Sequence, residues 1–125
     1  MHHDKLHQFA DQKYLNLETY RKNGTPVATP MWFAEHHGVL YVYSRANAGK
    51  VKRIRQNPTV RVVPCTARGT PTGDWVGGTA RMLDKPDAAL GHQRLNAKYG
   101  WLKRFGDVVS RLRNRARVVM AIELG

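Results

Sequence analysis

The sequence predicts a mostly β fold, a small antiparallel barrel of six strands accompanied by helices. Three observations predict it: apolar residues lie in short runs, Gly, Pro and Asn-Gly turn signals separate those runs, and sustained helical periodicity is confined to the segment between the fifth and sixth strands. A six-stranded sheet with one apolar face closes most easily on itself, which favours a barrel over a sandwich. With 125 residues, 42% of them hydrophobic, the chain is expected to be a single domain over residues 1–125. Any site must then share the core, or be shared with a second subunit.

Leu6, Phe9 and Ala10 recur at helical spacing and predict a short N-terminal helix over residues 4–13. Leu15 and Leu17 alternate with polar neighbours in a first strand, 14–20, which the Asn23-Gly24 turn folds back as a hairpin. The second strand, 27–35, turns at His36-His37-Gly38 into a third, 39–44, so that the first three strands are expected to form a meander. Val60, Val62 and Val63 mark a buried fourth strand over 59–65, followed by a Gly-, Thr- and Pro-rich loop, 66–73, of the kind that rims sites. The fifth strand, 74–83, contains Gly77-Gly78, which signals a bulge or a close approach. Pro86 near its first turn and Gly100 beyond its end delimit a helix over 85–99, and a second is expected over 101–114. The last strand, 117–124, is expected to turn Val119 and Ala121, with Ile122, inward.

Twenty-one Lys and Arg against nine Asp and Glu leave a formal charge of +12, so an anionic partner is expected, and where the cations sit matters more than their sum. No apolar run is long enough to span a membrane, and the start carries neither a basic flank with an apolar stretch nor a cleavage-like site; the expected location is the cytoplasm. One cysteine, Cys65, excludes an internal disulfide and a multi-thiolate metal site. Ser44 and Ser110 are the only serines, and neither stands in a nucleophile elbow. The six histidines include no pair four apart with an intervening Glu, so no metal site is expected.

The most informative stretch is 44–57, where a small-residue turn opens into a short helix carrying Lys50, Lys52, Arg53 and Arg55. Asn47 is placed to cap it, leaving the backbone N–H groups near Gly49 and Lys50 to face an anion that the helix dipole also favours. Val51 and Ile54, three apart, anchor the turn, and Asn57-Pro58 ends it. In the second strand, Thr29-Pro30-Met31-Trp32 combines a proline that belongs at an edge with a flat, polarizable surface. A surface for a ring at one end and a seat for an anion at the other is the outline of a flavin nucleotide.

These motifs, in this order, resemble the pyridoxamine-phosphate-oxidase-like split-barrel family of flavin and deazaflavin proteins, over roughly residues 14–84. The resemblance is carried by the sequence around the Asn23-Gly24 turn, Thr29-Pro-Met-Trp-Phe-Ala34, Leu40-Tyr-Val-Tyr-Ser44 and Gly49-Lys-Val-Lys-Arg-Ile-Arg-Gln-Asn-Pro58, and it is strongest to the branch of F420-dependent enzymes. It implies a six-stranded, FMN-binding-like split barrel, and a homodimer with the coenzyme in a groove where the subunits meet. By residue it implies that Thr29, Pro30, Met31 and Trp32 border the ring and that Ser44, Lys50 and Arg53 hold the phosphate at the helix start beside Gly49, while Lys52 and Arg55 could extend the cationic path. Coenzyme F420, with its carboxylate tail, suits the broad basic charge, and Arg111 to Arg117 could meet that tail; FMN is the alternative.

The expected activity is hydride transfer to an unsaturated or carbonyl-bearing small molecule, which needs no protein nucleophile and assigns no catalytic residue. Tyr43, a backbone group or solvent are the proton sources open to it. Two other classes remain: a non-catalytic coenzyme-binding protein, and a basic nucleic-acid-binding barrel. The last is disfavoured because few aromatic residues interleave with the cations.

Overall fold

The computed structural model describes residues 6–83, 85–99 and 117–125. Its seven strands are β1 (Tyr14–Tyr20), β2 (Pro26–Trp32), β3 (Ala34–His36), β4 (Val39–Arg45), β5 (Thr59–Cys65), β6 (Val76–Met82) and β7 (Arg117–Leu124). All pair antiparallel in one sheet of order β2-β1-β5-β6-β7-β4-β3. β2 and β3 stand at opposite edges, yet only Phe33 separates them in the chain. One residue spans about 3.8 Å, so the sheet must curl until its edges meet. The result is the expected split barrel, with its seam beside Phe33, a position the sequence did not mark.

The second predicted strand, 27–35, is two strands because it serves both edges, which gives seven strands where six were expected. The expected meander is corrected for the same reason. β2 pairs with β1 from Tyr14↔Trp32 to Tyr20↔Pro26, whereas only β3 reaches β4, and β4 takes β7 as its other neighbour. The β3–β4 turn is the two-residue type, with positive φ at both His37 (51°) and Gly38 (82°), matching the twist of the strands it joins.

Leu15, Leu17, Leu40, Val42, Val60, Val62, Met120 and Ile122 fill the interior, each with essentially no exposed surface. Burying such a side chain contributes about 1.5–3 kcal/mol. Phe9 closes one end, following the helical turn at Leu6 and His7; it meets Phe33 edge-on at a ring separation of 5.7 Å. Helix α1 (Gly49–Gln56) packs onto the barrel through Val51 and Ile54, as its spacing predicted, and stops where Asn57 turns extended before Pro58.

Helix α2 (Lys85–Tyr99) has the predicted bounds and lies against the outside of β4 and β7. Gly91 permits this: a Cβ there would collide with Val119 Cγ1 and stand 3.2 Å from Tyr41 Cδ1. Beneath the helix, Tyr41, Val119 and Ala121 form a second small core. The expected inward face of β7 is therefore corrected: Met120 and Ile122 enter the barrel, while Val119 and Ala121 are buried on the opposite face. The predicted helix over 101–114 lies outside the described residues. Among the described residues, no helix is long and apolar enough to cross a membrane, and no cluster of three or more metal-ligating side chains occurs.

Candidate functional site

The split leaves a cleft of about 230 Å³ between the edge strand β2 on one side and the end of β4, the start of α1 and Arg117 on the other. It is lined by Pro30, Met31 and Trp32, then by Tyr43, Ser44 and Arg45, with Ala48, Lys50 and Arg117 completing it. Five sequence-predicted residues therefore come together: Pro30, Met31, Trp32, Ser44 and Lys50. β2 is an edge, so alternate backbone groups on the cleft side are free of the sheet ladder, and Pro30 costs that edge no hydrogen bond.

The other predicted residues fall around the cleft rather than in its lining. Thr29 is opposite Leu17 in the register, which turns it toward the barrel interior; its Oγ1 is enclosed and has no hydrogen-bond partner among the described residues. Gly49 is the first residue of α1. Arg53, one turn later, donates from Nε to Thr19 Oγ1 at 2.7 Å, and its guanidinium folds back to within 2.9 Å of where a Gly49 Cβ would be. Lys52 projects from the exposed face of the helix. The loop 66–73 stands beside the cleft: Asn16 Nδ2 donates to Gly69 O at 2.6 Å, and a Cβ on Gly69 would lie 3.8 Å from Pro30 Cδ.

The capping expectation is corrected. Ala48, not Asn47, is the residue at the helix start, and no side chain caps it. Val51 and Lys52 donate to Ala48 O at 3.1 and 3.3 Å, so the N–H groups of Gly49 and Lys50 have no acceptor within the helix. A side-chain cap would compete for those donors; a small apolar residue leaves them to whatever occupies the cleft. The first turn contains no acidic residue.

Electrostatics sharpen this picture. Burial, reinforced by the neighbouring Arg53 and Arg45, holds the Lys50 ammonium below the usual lysine range. Among the described residues, no ion pair involves Arg45, Lys50 or Arg53, and no carboxylate lines the cleft. Cations placed together without an acid repel one another, an arrangement that an anion relieves. Arg45 and Arg117 are register partners on β4 and β7, and the Arg117 guanidinium lies 5.2 Å from the Tyr43 ring centroid. Tyr43, one of the proton sources the sequence left open, lies in the lining, whereas Arg45 and Ala48 were not predicted as site residues. Arg45 directly precedes the small-residue turn, a signal that could have marked it, but its meeting with Arg117 depends on a pairing across 72 positions of sequence, from 45 to 117.

A barrel split at the β2–β3 junction, with a basic cleft along the split, agrees with the comparison to known proteins. The sequence profile of pyridoxamine 5'-phosphate oxidase matches residues 3–124. The chain belongs to the pyridoxamine 5'-phosphate oxidase family. Solved structures share the fold at low identity. A conserved hypothetical protein from Mycobacterium tuberculosis aligns with a TM-score of 0.72 and 20% identity over 98% of this chain and 79% of that one. An F420 reductase aligns at 0.60 and 20% over 95% and 91%, and the haem storage protein HutZ from Vibrio cholerae at 0.65 and 19% over 92% and 83%. No curated protein matches the sequence significantly. Membership of the pyridoxamine 5'-phosphate oxidase family accounts for the split barrel, while the neighbours' different names show that one fold serves several purposes.

Proposed function

We propose that this protein is an oxidoreductase that uses a phosphorylated flavin-type coenzyme, with F420 favoured and FMN the alternative, to reduce an unsaturated or carbonyl-bearing small molecule. The observation that carries the reading is the cleft itself: among the described residues that line it, Lys50 and Arg45 stand with no carboxylate, and Pro30 and Trp32 of β2 share the lining with them. The residues fit such a coenzyme. The N–H groups of Gly49 and Lys50, which have no acceptor within the helix, the Lys50 ammonium and the Arg53 guanidinium suit a phosphate, and Pro30 and Trp32, on the outer face of β2, offer a flat surface to a ring, while Met31 between them turns into the core.

When bound, the coenzyme supplies two-electron hydride chemistry. The chain's own groups would orient the ring against β2, neutralise the phosphate and exclude water from the ring face. Membership of the pyridoxamine 5'-phosphate oxidase family and the likeness to an F420 reductase support the class of reaction. The additional cations Arg45 and Arg117 support F420, whose tail brings carboxylates beyond the phosphate. We further propose a cytoplasmic homodimer in which a second copy covers the open side of the cleft along β2.

Titration of the purified protein with F420 and with FMN, at low and at high salt, tests this reading. Quenching of coenzyme fluorescence, tighter and more salt-dependent for F420, is the expected result, and Lys50→Glu should remove it. Absence of quenching with both coenzymes would overturn the proposal. Light scattering of the same sample reads the mass; a monomer at micromolar concentration would remove the dimer.

A further inference from the structure

Phe33 belongs to neither β2 nor β3, and it is 1% exposed. A residue buried between two strands leaves a backbone N–H and a C=O without a ladder partner, and an unpaired buried group costs about 1–3 kcal/mol. Both are met by one side chain from the end of α2. Tyr99 Oη accepts from Phe33 N at 3.0 Å, and its single proton is shared between Phe33 O and Lys13 O, each 2.6 Å away. In extended backbone the N–H and C=O of a residue point to the same side, so a single hydroxyl can serve both. The phenol thus ties together the three segments that meet at the seam: the approach to β1, the β2–β3 junction and α2.

The same side chain touches the cleft wall. The Tyr99 ring lies against the Trp32 ring with centroids 4.8 Å apart and planes inclined by 14°. Trp32 is half-buried, lines the cleft and is covered on one side by this stack. Lys98, the preceding residue, places its ammonium 3.6 Å from the Phe33 ring centroid, adding a second contact at the same junction. Burial pushes the Tyr99 phenol far above its ordinary range, so it remains a donor at any working pH.

We propose that Tyr99 is a positioning residue for the ligand's ring: by bonding the Phe33 backbone and stacking on Trp32, it fixes the indole at the angle that presents the cleft wall to a planar heterocycle. The proposal rests on the reading of the cleft as a coenzyme site. It concerns the ring half of that site alone, because the anion half is built by α1, β4 and β7, which Tyr99 does not touch through these bonds.

Two variants separate the contributions. Tyr99→Phe keeps the stack and removes the hydroxyl; Tyr99→Leu removes both. FMN is the probe with a ring, and ribose 5-phosphate is the probe without one. Tyr99→Leu should weaken FMN about tenfold, with Tyr99→Phe intermediate, while ribose 5-phosphate changes less than about twofold in either variant. In the free protein, the Trp32 indole N–H resonance, assigned by its loss in Trp32→Phe, should shift in Tyr99→Leu and far less in Tyr99→Phe. An equal loss for both ligands would show a merely structural role and overturn the proposal, as would an unmoved indole resonance. If wild-type protein binds ribose 5-phosphate but neither FMN nor F420, the coenzyme reading fails, and the indole resonance alone decides whether Tyr99 orients Trp32.

Discussion

Arg53 donates from Nε to Thr19 Oγ1 at 2.7 Å, and this bond anchors a side chain whose guanidinium turns back beneath the first residue of its own helix, Gly49. The glycine is needed there for room, since its φ is not positive and the turn itself would accept alanine.

Gly49→Ala should therefore separate binding from stability. The clash, 2.9 Å to Arg53 Nη1, is with the far end of a flexible side chain, which can swing aside. Unfolding by urea should change by no more than about 0.5 kcal/mol, while affinity for inorganic phosphate falls about threefold or more. Calorimetric titration with unchanged affinity would show that Arg53 does not contribute to the seat.

Lys50 carries the opposite trade. Its folded pKa is lowered from 10.5 by burial and then by Arg53 and Arg45, so between the folded value and 10.5 the unfolded chain holds more protons and stability rises with pH. At neutral pH the ammonium opposes folding, a penalty that solvent screening keeps small because the side chain is only half-buried. Lys50→Met should leave the free protein as stable as wild type or up to about 1 kcal/mol more so, yet abolish phosphate binding. A clear loss of thermal stability would contradict this account of the cluster.

On the outer face of β1, Glu18 accepts from Arg61 at 2.7 and 3.1 Å and from Tyr20 Oη at 2.8 Å. The Arg61 bond, helped by Tyr20 and opposed by burial, lowers the Glu18 pKa from 4.5. A depressed folded value means stabilisation that is complete above 4.5 and lost as pH falls through the folded pKa. Glu18→Gln should cost about 1 kcal/mol at pH 7, and the gap to wild type should close in strong acid. Denaturation curves that stay parallel down to low pH would refute it.

The paired glycines of β6 should respond differently. A Cβ on Gly78 would stand 2.6 Å from Glu123 O, a backbone atom that cannot step aside, whereas Gly77 faces open space. Gly78→Ala should destabilise by about 2–3 kcal/mol and Gly77→Ala by less than about 0.5. Equal effects in chemical denaturation would mean that β7 does not approach β6 so closely. The pair keeps an unbroken register with both neighbouring strands, so it forms no bulge, and what crowds Gly78 is the adjacent strand β7 of the same sheet.

Much of the fold was legible locally. The strand alternation at Leu15 and Leu17, the anchoring pair Val51 and Ile54, and the Pro86-delimited helix all depend on spacing within a few residues, and each is found as expected. Asn47 misled because an N-cap preference is a tendency of about 1 kcal/mol, which the turn 45–48 can override: Ala48 N donates to Arg45 O at 3.0 Å and moves the helix start one residue on. Val119 and Ala121 misled because alternation reveals two faces without revealing that α2 covers the outer one.

The sequence alone determined a basic β-rich protein, the cationic helix and the proline-bearing strand that lines the cleft, because propensity, turn chemistry and charge are local properties. Tertiary structure decided that the strand over 27–35 divides at Phe33 to reach both sheet edges, that Arg45 meets Arg117, and that Tyr99 arrives from α2 to satisfy the break. These depend on sheet closure, which brings together residues far apart in the chain, and no short-range pattern records which distant groups a curled sheet will place face to face.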